Sequence, residues 1–162
     1  MIEIRCIKPD EWLAAKQVVY RVAHGLFARG RDLDTFIAQH EAIHELKDMD
    51  DIQGNYFDNG GTFLVMIDDE KMICTGAIRH LENEVCELKR LWLLSEYQGK
   101  RLGYRMLQEL LTFAREKDFK RIRLETDPNV QSRALEFYKQ VGFYEIDSYT
   151  NRGDEAAMEM LL

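Results

Sequence analysis

A chain of 162 residues, 46% hydrophobic and 31% charged, has the size and mix of one packed soluble domain rather than two. No apolar run approaches the ~20 residues needed to span a bilayer, and MIEIRCIKPDEW (1–12) lacks the basic start and apolar stretch of a signal peptide, so a cytoplasmic protein without a membrane partner is expected. A formal net charge of −7 argues against a nucleic-acid partner, which calls for a basic face, and leans towards a cationic one.

In chain order, IEIRCIK (2–8) alternates apolar and polar and predicts a strand. Pro9 and Asp10 then open a helix carrying Trp12, Ala15, Val19, Val22, Ala23 and Leu26 on one face, with Gly30 as its stop. A second helix is predicted from about Asp34 to Lys47. It contains HEAIH (40–44), an H-E-x-x-H pattern. On a helix His40 and His44 would lie one turn apart, on the apolar side with Leu33, Phe36 and Ile37, and could share a zinc ion. A zinc peptidase also needs a third ligand and a helix backed by strands. Only one strand precedes this helix, no third-ligand helix stands out, and His80 ends a strand. No metal is therefore expected. The peptidase stays a remote alternative to a helix with two histidines near a pocket.

YFDNGG (56–61) is turn chemistry. TFLVMID (62–68) and MICTGAIRHL (72–81) predict two strands joined by the polar turn DDEK, and EVCELKRLWLL (84–94) a longer one. Cys6, Cys74 and Cys86 fall in such strand-like segments without a CxxC pair, and are expected to be buried, reduced thiols. The period then changes. GKRLGYRMLQELLTFAREK (99–117) sets Leu102, Met106, Leu110, Phe113 and Ala114 on one helical face. RIRLET (121–126) alternates again. VQSRALEFYKQV (130–141) carries Val130, Ala134, Phe137 and Val141 on a narrow stripe and stops at Gly142. Short strands near 143–150 and 155–162 close the chain. The order β-α-α-β-β-β-α-β-α-β-β is that of one α/β domain with a mixed sheet.

The stretch with most chemistry is LWLLSEYQGKRLGYRML (91–107), a strand, a loop and a helix start. Gly99 and Gly103 let the backbone turn tightly and approach a ligand. Free N–H groups at the helix start, with Lys100 and Arg101, suit an anion such as phosphate. By itself the loop is equally what a helix start needs structurally. Neither a G-x-x-x-x-G-K-[ST] nor a G-x-G-x-x-G loop is present.

Three stretches together resemble the GNAT superfamily, the Gcn5-related N-acetyltransferases. QGKRLG (98–103) matches the Q/R-x-x-G-x-G/A pyrophosphate loop, CELKRLWLL (86–94) the family's fourth strand, and QSRALEFYKQVGF (131–143) its later A-x-x-x-Y-x-x-x-G-F helix. Two positions depart: Arg101 stands at the loop's first glycine, where it would swing outward towards the ribose phosphate, and Gln131 stands for an asparagine. The resemblance implies a single N-acetyltransferase domain over 1–162, α/β, with a mixed, mostly antiparallel sheet of about seven strands flanked by about four helices. It implies acetyl-CoA as co-substrate, held by Leu91, Trp92 and Leu93 along the strand, by Gln98, Gly99, Lys100, Arg101, Leu102, Gly103 and Tyr104 at the loop, and by Gln131. The main chain at Leu91 and Leu93 would pair with the pantetheine arm, and the Leu91 N–H would face the oxyanion.

Acetyl transfer to an amine requires loss of a proton from an ammonium of pKa ~10, a donor for the oxyanion, and a proton for the departing thiolate. By the same resemblance Glu87, eleven residues before Gln98 and at the place of a catalytic glutamate in the histone-modifying branch of the family, is the candidate base, acting from a buried site or through a water; its alternative is a surface ion pair with Lys89 or Arg121. Tyr138 is the candidate general acid; its alternative is a hydroxyl that merely orders its helix. Direct transfer in a ternary complex is expected, since alternation turns Cys86 away from Glu87. By the same resemblance, the region between the first two strands covers the acceptor side, so His40 or His44 would line that pocket or assist proton removal. The acceptor is a small-molecule amine or a protein amine. The C-terminal strands and the first helices are where a homodimer would pair. A non-catalytic acyl-CoA-binding or sensing module is the rival, needing neither Glu87 nor Tyr138.

Overall fold

The computed structural model describes residues 1–129, 131–150, 153 and 155–162. After β1 (Ile2–Cys6), a 3-10 turn at Pro9–Glu11 leads into α1 (Trp12–Phe27) and α2 (Leu33–Ala42). A meander of β2 (Thr62–Asp68), β3 (Lys71–Glu82) and β4 (Val85–Leu93) follows, then α3 (Leu102–Glu116), β5 (Arg121–Thr126), α4 (Ser132–Val141), β6 (Tyr144–Ile146) and β7 (Ala156–Leu161). The strands form one seven-stranded sheet in the order β1-β2-β3-β4-β5-β7-β6. The β4–β5 pair is parallel and the other described pairs are antiparallel. The predicted α/β class and element order hold. Among the described residues no helix is long and apolar enough to cross a membrane.

Alternation along the strands divides the core. On one face Leu64, Met66, Cys74, Ile78, Cys86, Leu88, Ile122 and Leu124 pack against the apolar stripes of α3 and α4. Gly76 permits the close approach of α3, since a Cβ there would sit 2.7 Å from Leu110 Cδ1. On the other face Phe63, Val65 and Ala77 meet α1, α2 and the chain that follows. Val130 of the predicted α4 stripe lies outside the described residues.

Three expectations change. The second helix ends at Ala42 instead of Lys47, and His44 adopts φ +54° beyond it. The reason is burial: Leu46, Met49, Ile52 and Tyr56 are driven under the sheet by a 3-10 turn (Lys47–Asp50) and a π-helical turn (Gln53–Phe57), which a straight continuation of α2 would not allow. Cys6 is exposed at the end of the edge strand, whereas Cys74 and Cys86 are buried and their thiols pushed up to about 12 by burial. Strand β6 stops at Ile146, short of the predicted 150, because Tyr149 leaves the sheet edge to reach Glu87.

Two irregularities in β4 shape everything that follows. Its register against β3 shifts between the Ala77–Lys89 and Thr75–Trp92 pairs, and Arg90 takes φ +56°. This bulge reverses the alternation: Lys89 and Arg90 both look towards α1, while Leu91 joins the α3 face. Beyond Glu87, β4 also parts from β5, since only Val85, Cys86 and Glu87 pair with it. Among the described residues the β5-facing edge of 88–93 has no strand partner.

The bulge is held from below. Asp48 takes a two-pronged ion pair from Arg90 (Nη2–Oδ1 2.6 Å, Nε–Oδ2 3.0 Å) and a hydrogen bond donated by the Tyr56 hydroxyl. The Thr75 hydroxyl donates to the Arg90 carbonyl at 2.6 Å.

Candidate active site

Two cavities meet at the gap between β4 and β5. The larger, of about 830 Å³, is lined by Leu91, Trp92, Leu93, Gln98, Gly99, Arg101, Leu102, Gly103, Tyr104, Gln131 and Tyr138, with Val22 and Leu26 of α1 above them. All of the predicted cofactor-binding residues except Lys100 thus stand around one cleft. Lys100 lies outside its lining, with its ammonium 5.5 Å from the Tyr97 ring centroid. The smaller cavity, about 460 Å³, is lined by Glu87, Arg79, Lys89, Arg90, His40 and the apolar side of α1, among others. Leu91, Trp92, Gln131, Ala134 and Tyr138 line both.

At the larger cleft, Gly99 (φ +83°) and Arg101 (φ +60°) wind the chain into the first turn of α3. That turn holds no acidic residue, and its leading N–H groups have no intrahelical acceptor. With the helix dipole they form a nest for an anion. Arg101, at the loop's first glycine position, is exposed and sits in the left-handed region, which costs a residue with a Cβ about 1–2 kcal/mol. Arg101→Gly is expected to raise stability by up to about 1 kcal/mol, or a few degrees in Tm. Thermal unfolding checks this, and an unchanged or lower Tm would mean the arginine contacts outweigh the backbone strain.

Tyr138 projects from α4 to the junction of the two cavities and is buried. Burial pushes its phenol well above the usual tyrosine range, with Cys74 adding to the effect, so it keeps its proton at any physiological pH. Phe137 and Phe143 pack around the ring at centroid distances of 5.4 and 5.5 Å. Gln131 stands just before the first turn of α4 without capping it through its side chain, and its Oε1 instead accepts from the Thr126 hydroxyl (2.8 Å) and the Asp127 N–H (3.1 Å).

Glu87 is buried, and its partners differ from those anticipated. In place of Lys89 or Arg121, Arg79 donates to Oε1 (2.8 Å) and the Tyr149 hydroxyl to Oε2 (2.7 Å). Burial, followed by the neighbouring Glu87 charge, pushes the Tyr149 phenol upward. Neither partner was identified from the sequence. Tyr149 lies 62 residues from Glu87, and nothing in its neighbours marks it out.

The two histidines part company. His40 half-buries itself on the Phe36 ring (4.0 Å between centroids), donates from Nδ1 to the Phe36 carbonyl (2.8 Å) and lines the smaller cavity. His44 is exposed and outside that lining. Glu41 between them pairs with Lys16 of α1 at 2.8 Å. The helical spacing on which the zinc reading rested is not formed. Among the described residues no group of three or more His, Cys, Asp or Glu is arranged to hold a metal ion.

Comparison with known proteins agrees with this architecture. A family model described as acetyltransferase (GNAT) family matches residues 31–143. An uncharacterized N-acetyltransferase of Escherichia coli K12, YjgM, is 29% identical over 102 residues, covering 61% of this chain and 60% of its own. The probable N-acetyltransferase camello of Xenopus tropicalis is 31% identical over 100 residues, covering 60% and 45%. The chain thus spans less than two thirds of the length of the curated relatives it matches. Among solved structures, the PaiA N-acetyltransferase of Thermoplasma acidophilum, in complex with coenzyme A, superposes with a TM-score of 0.82 at 22% identity over 100% of this chain and 99% of its own. A GNAT-family acetyltransferase of Staphylococcus aureus Mu50 gives 0.83 at 20% identity over the same shares.

Proposed function

This chain belongs to the acetyltransferase (GNAT) family, and from that premise we propose that it is an acyl-CoA-dependent N-acetyltransferase acting by direct transfer within a ternary complex. The observation that carries the reading is the pair of cavities that share Leu91, Trp92, Gln131, Ala134 and Tyr138, one beside an anion-binding loop and the other lined by ionisable groups. A donor with phosphates at one end and an amine acceptor need such a meeting point, sheltered from water.

In this reading acetyl-CoA supplies the activated acyl group, and the chain supplies position and proton handling. The first turn of α3 and the Gln98–Gly103 loop hold the pyrophosphate. The unpaired edge of β4 from Leu91 to Leu93 receives the amide groups of the pantetheine arm as a neighbouring strand would, and the Leu91 N–H faces the oxyanion. Tyr138 returns a proton to the leaving sulfur. Glu87, held between Arg79 and Tyr149 with acceptor capacity left on both oxygens, takes the ammonium proton through a water. His40 forms part of the acceptor wall.

The first test is thermal unfolding with acetyl-CoA, CoA, NADH, ATP and zinc in parallel, followed by thiol release across a panel of amines with wild type and Glu87→Gln. A rise of several degrees confined to the two CoA species, and amine-dependent thiol release that Glu87→Gln cuts by at least tenfold, are expected. No rise with either CoA species would overturn the reading. A rise without turnover on any amine would instead favour a binding module.

A further inference from the structure

The sheet wall of the smaller cavity carries three cations, Arg79 on β3 with Lys89 and Arg90 on β4, and two are already matched. Arg79 is paired with Glu87 at 2.8 Å and Arg90 with Asp48 at 2.6 Å. Lys89 stands between them, half-buried in the same lining, and its ammonium makes no ion pair or hydrogen bond with a described residue. Burial, then Arg90 and Arg79, act to push its proton off, and the weaker pull of the Glu87 and Asp48 charges does not reverse that direction. A desolvated ammonium flanked by two guanidinium groups is costly unless a counter-charge arrives. The carboxylates around the cavity do not supply it from the β4 side: Glu87 is taken, Glu45 is exposed on the facing wall beyond α2 and makes no ion pair with Lys89, and Glu125 and Asp127 stand at the end of β5 beside Gln131, with Glu155 before β7. The cavity is therefore polarised, with an acidic wall near the junction and an unmatched cation along β4. The apolar part of the lining comes from Val19, Tyr20, Phe27, Phe36, Leu46 and Trp92, and His40, Thr126, Gln131 and Thr150 add uncharged polar groups. Its volume of about 460 Å³ is that of a small-molecule site.

We propose that Lys89 receives a carboxylate of the acceptor, so that the acceptor is a small zwitterionic amine with an apolar body, of the amino-acid or short-peptide class, and not a lysine side chain on a folded protein. The ammonium to be acetylated lies against the acidic wall at the junction, and the carboxylate lies on Lys89. This rests on the acetyltransferase reading above and specifies its acceptor.

The test compares each of the twenty L-amino acids, and a set of dipeptides, with the corresponding carboxamide, by thiol release with saturating acetyl-CoA. Wild type is expected to prefer the best carboxylate acceptor over its amide by at least tenfold in kcat/KM. In Lys89→Gln that ratio should collapse towards one, mostly through KM, and Lys89→Arg should restore part of it. Removing an unmatched buried charge removes a desolvation cost, so Lys89→Gln is expected to fold. Amides as good as acids in wild type would overturn the proposal, as would a Lys89→Gln that slows both equally. Should no acceptor turn over, the same pairs are read as melting shifts of the CoA-saturated protein, where acids that stabilise no better than amides again overturn it. The shift with CoA alone reports on the underlying reading separately.

Discussion

Tyr138→Phe is expected to lower kcat by about 10²- to 10⁴-fold while leaving the melting shift with CoA in place. The substitution removes one oxygen from a ring already packed by Phe137 and Phe143, so the fold loses little. What it removes is the proposed proton donor, at a residue that lines both cavities. Because burial holds the phenol above its ordinary range, Tyr138 stays protonated through neutral and mildly alkaline pH. Any fall in rate between pH 7 and 10 must therefore come from another group, and should persist in the variant. Single-turnover rates at saturating acetyl-CoA and amine make the measurement. A kcat within about threefold of wild type would end the assignment of Tyr138 as acid and leave it a packing residue.

The second large effect is on stability. Asp48→Ala is expected to cost about 3–5 kcal/mol, because it strands the Arg90 guanidinium and the Tyr56 hydroxyl together beneath the bulge. For a domain of this size that is a fall of roughly 6–20 °C in Tm. Replacing both partners, Asp48→Ala with Arg90→Met, should recover most of the loss, which a double-mutant cycle would read as strong coupling. Burial by itself would raise the Asp48 carboxyl, yet the Arg90 charge and hydrogen bonds hold it below the usual aspartate range. Its stabilising contribution is thus complete above the unfolded value of about 3.9 and drains away as pH falls through the depressed native one. Wild type should therefore lose stability below about pH 4 more steeply than Asp48→Ala. Parallel acid profiles, or a Tm change within 2 °C, would show that the ion pair does not hold the bulge.

What could be read from the sequence was local. The loop, the Gln131–Phe143 helix and the strand before the loop each declare themselves within a dozen residues, and hydrophobic period gave the element order. What could not be read depends on distant partners. LKRLWLL alternates acceptably with or without an extra residue, so the bulge at Arg90 is invisible until Thr75 and Asp48 are in place around it. The partners of Glu87 come from β3 and from the stretch after β6, and sequence spacing says nothing about either. HEAIH misleads for a similar reason: the burial of Leu46, Met49 and Ile52, decided by the sheet, ends the helix before its second histidine.

The three-residue contact between β4 and β5 has a mechanical side. The sheet is two ribbons, β1 to β4 and β5 with β7 and β6, zipped together at one end and open at the other, with α3 and α4 bridging their backs. Amides on the open edge of 88–93 are the sheet's weak line for hydrogen exchange. A ligand whose own amide groups lie in that opening does more than occupy a cleft: it closes the zipper, so that exchange slows along both ribbons at once and the bound protein resists unfolding as a single sheet.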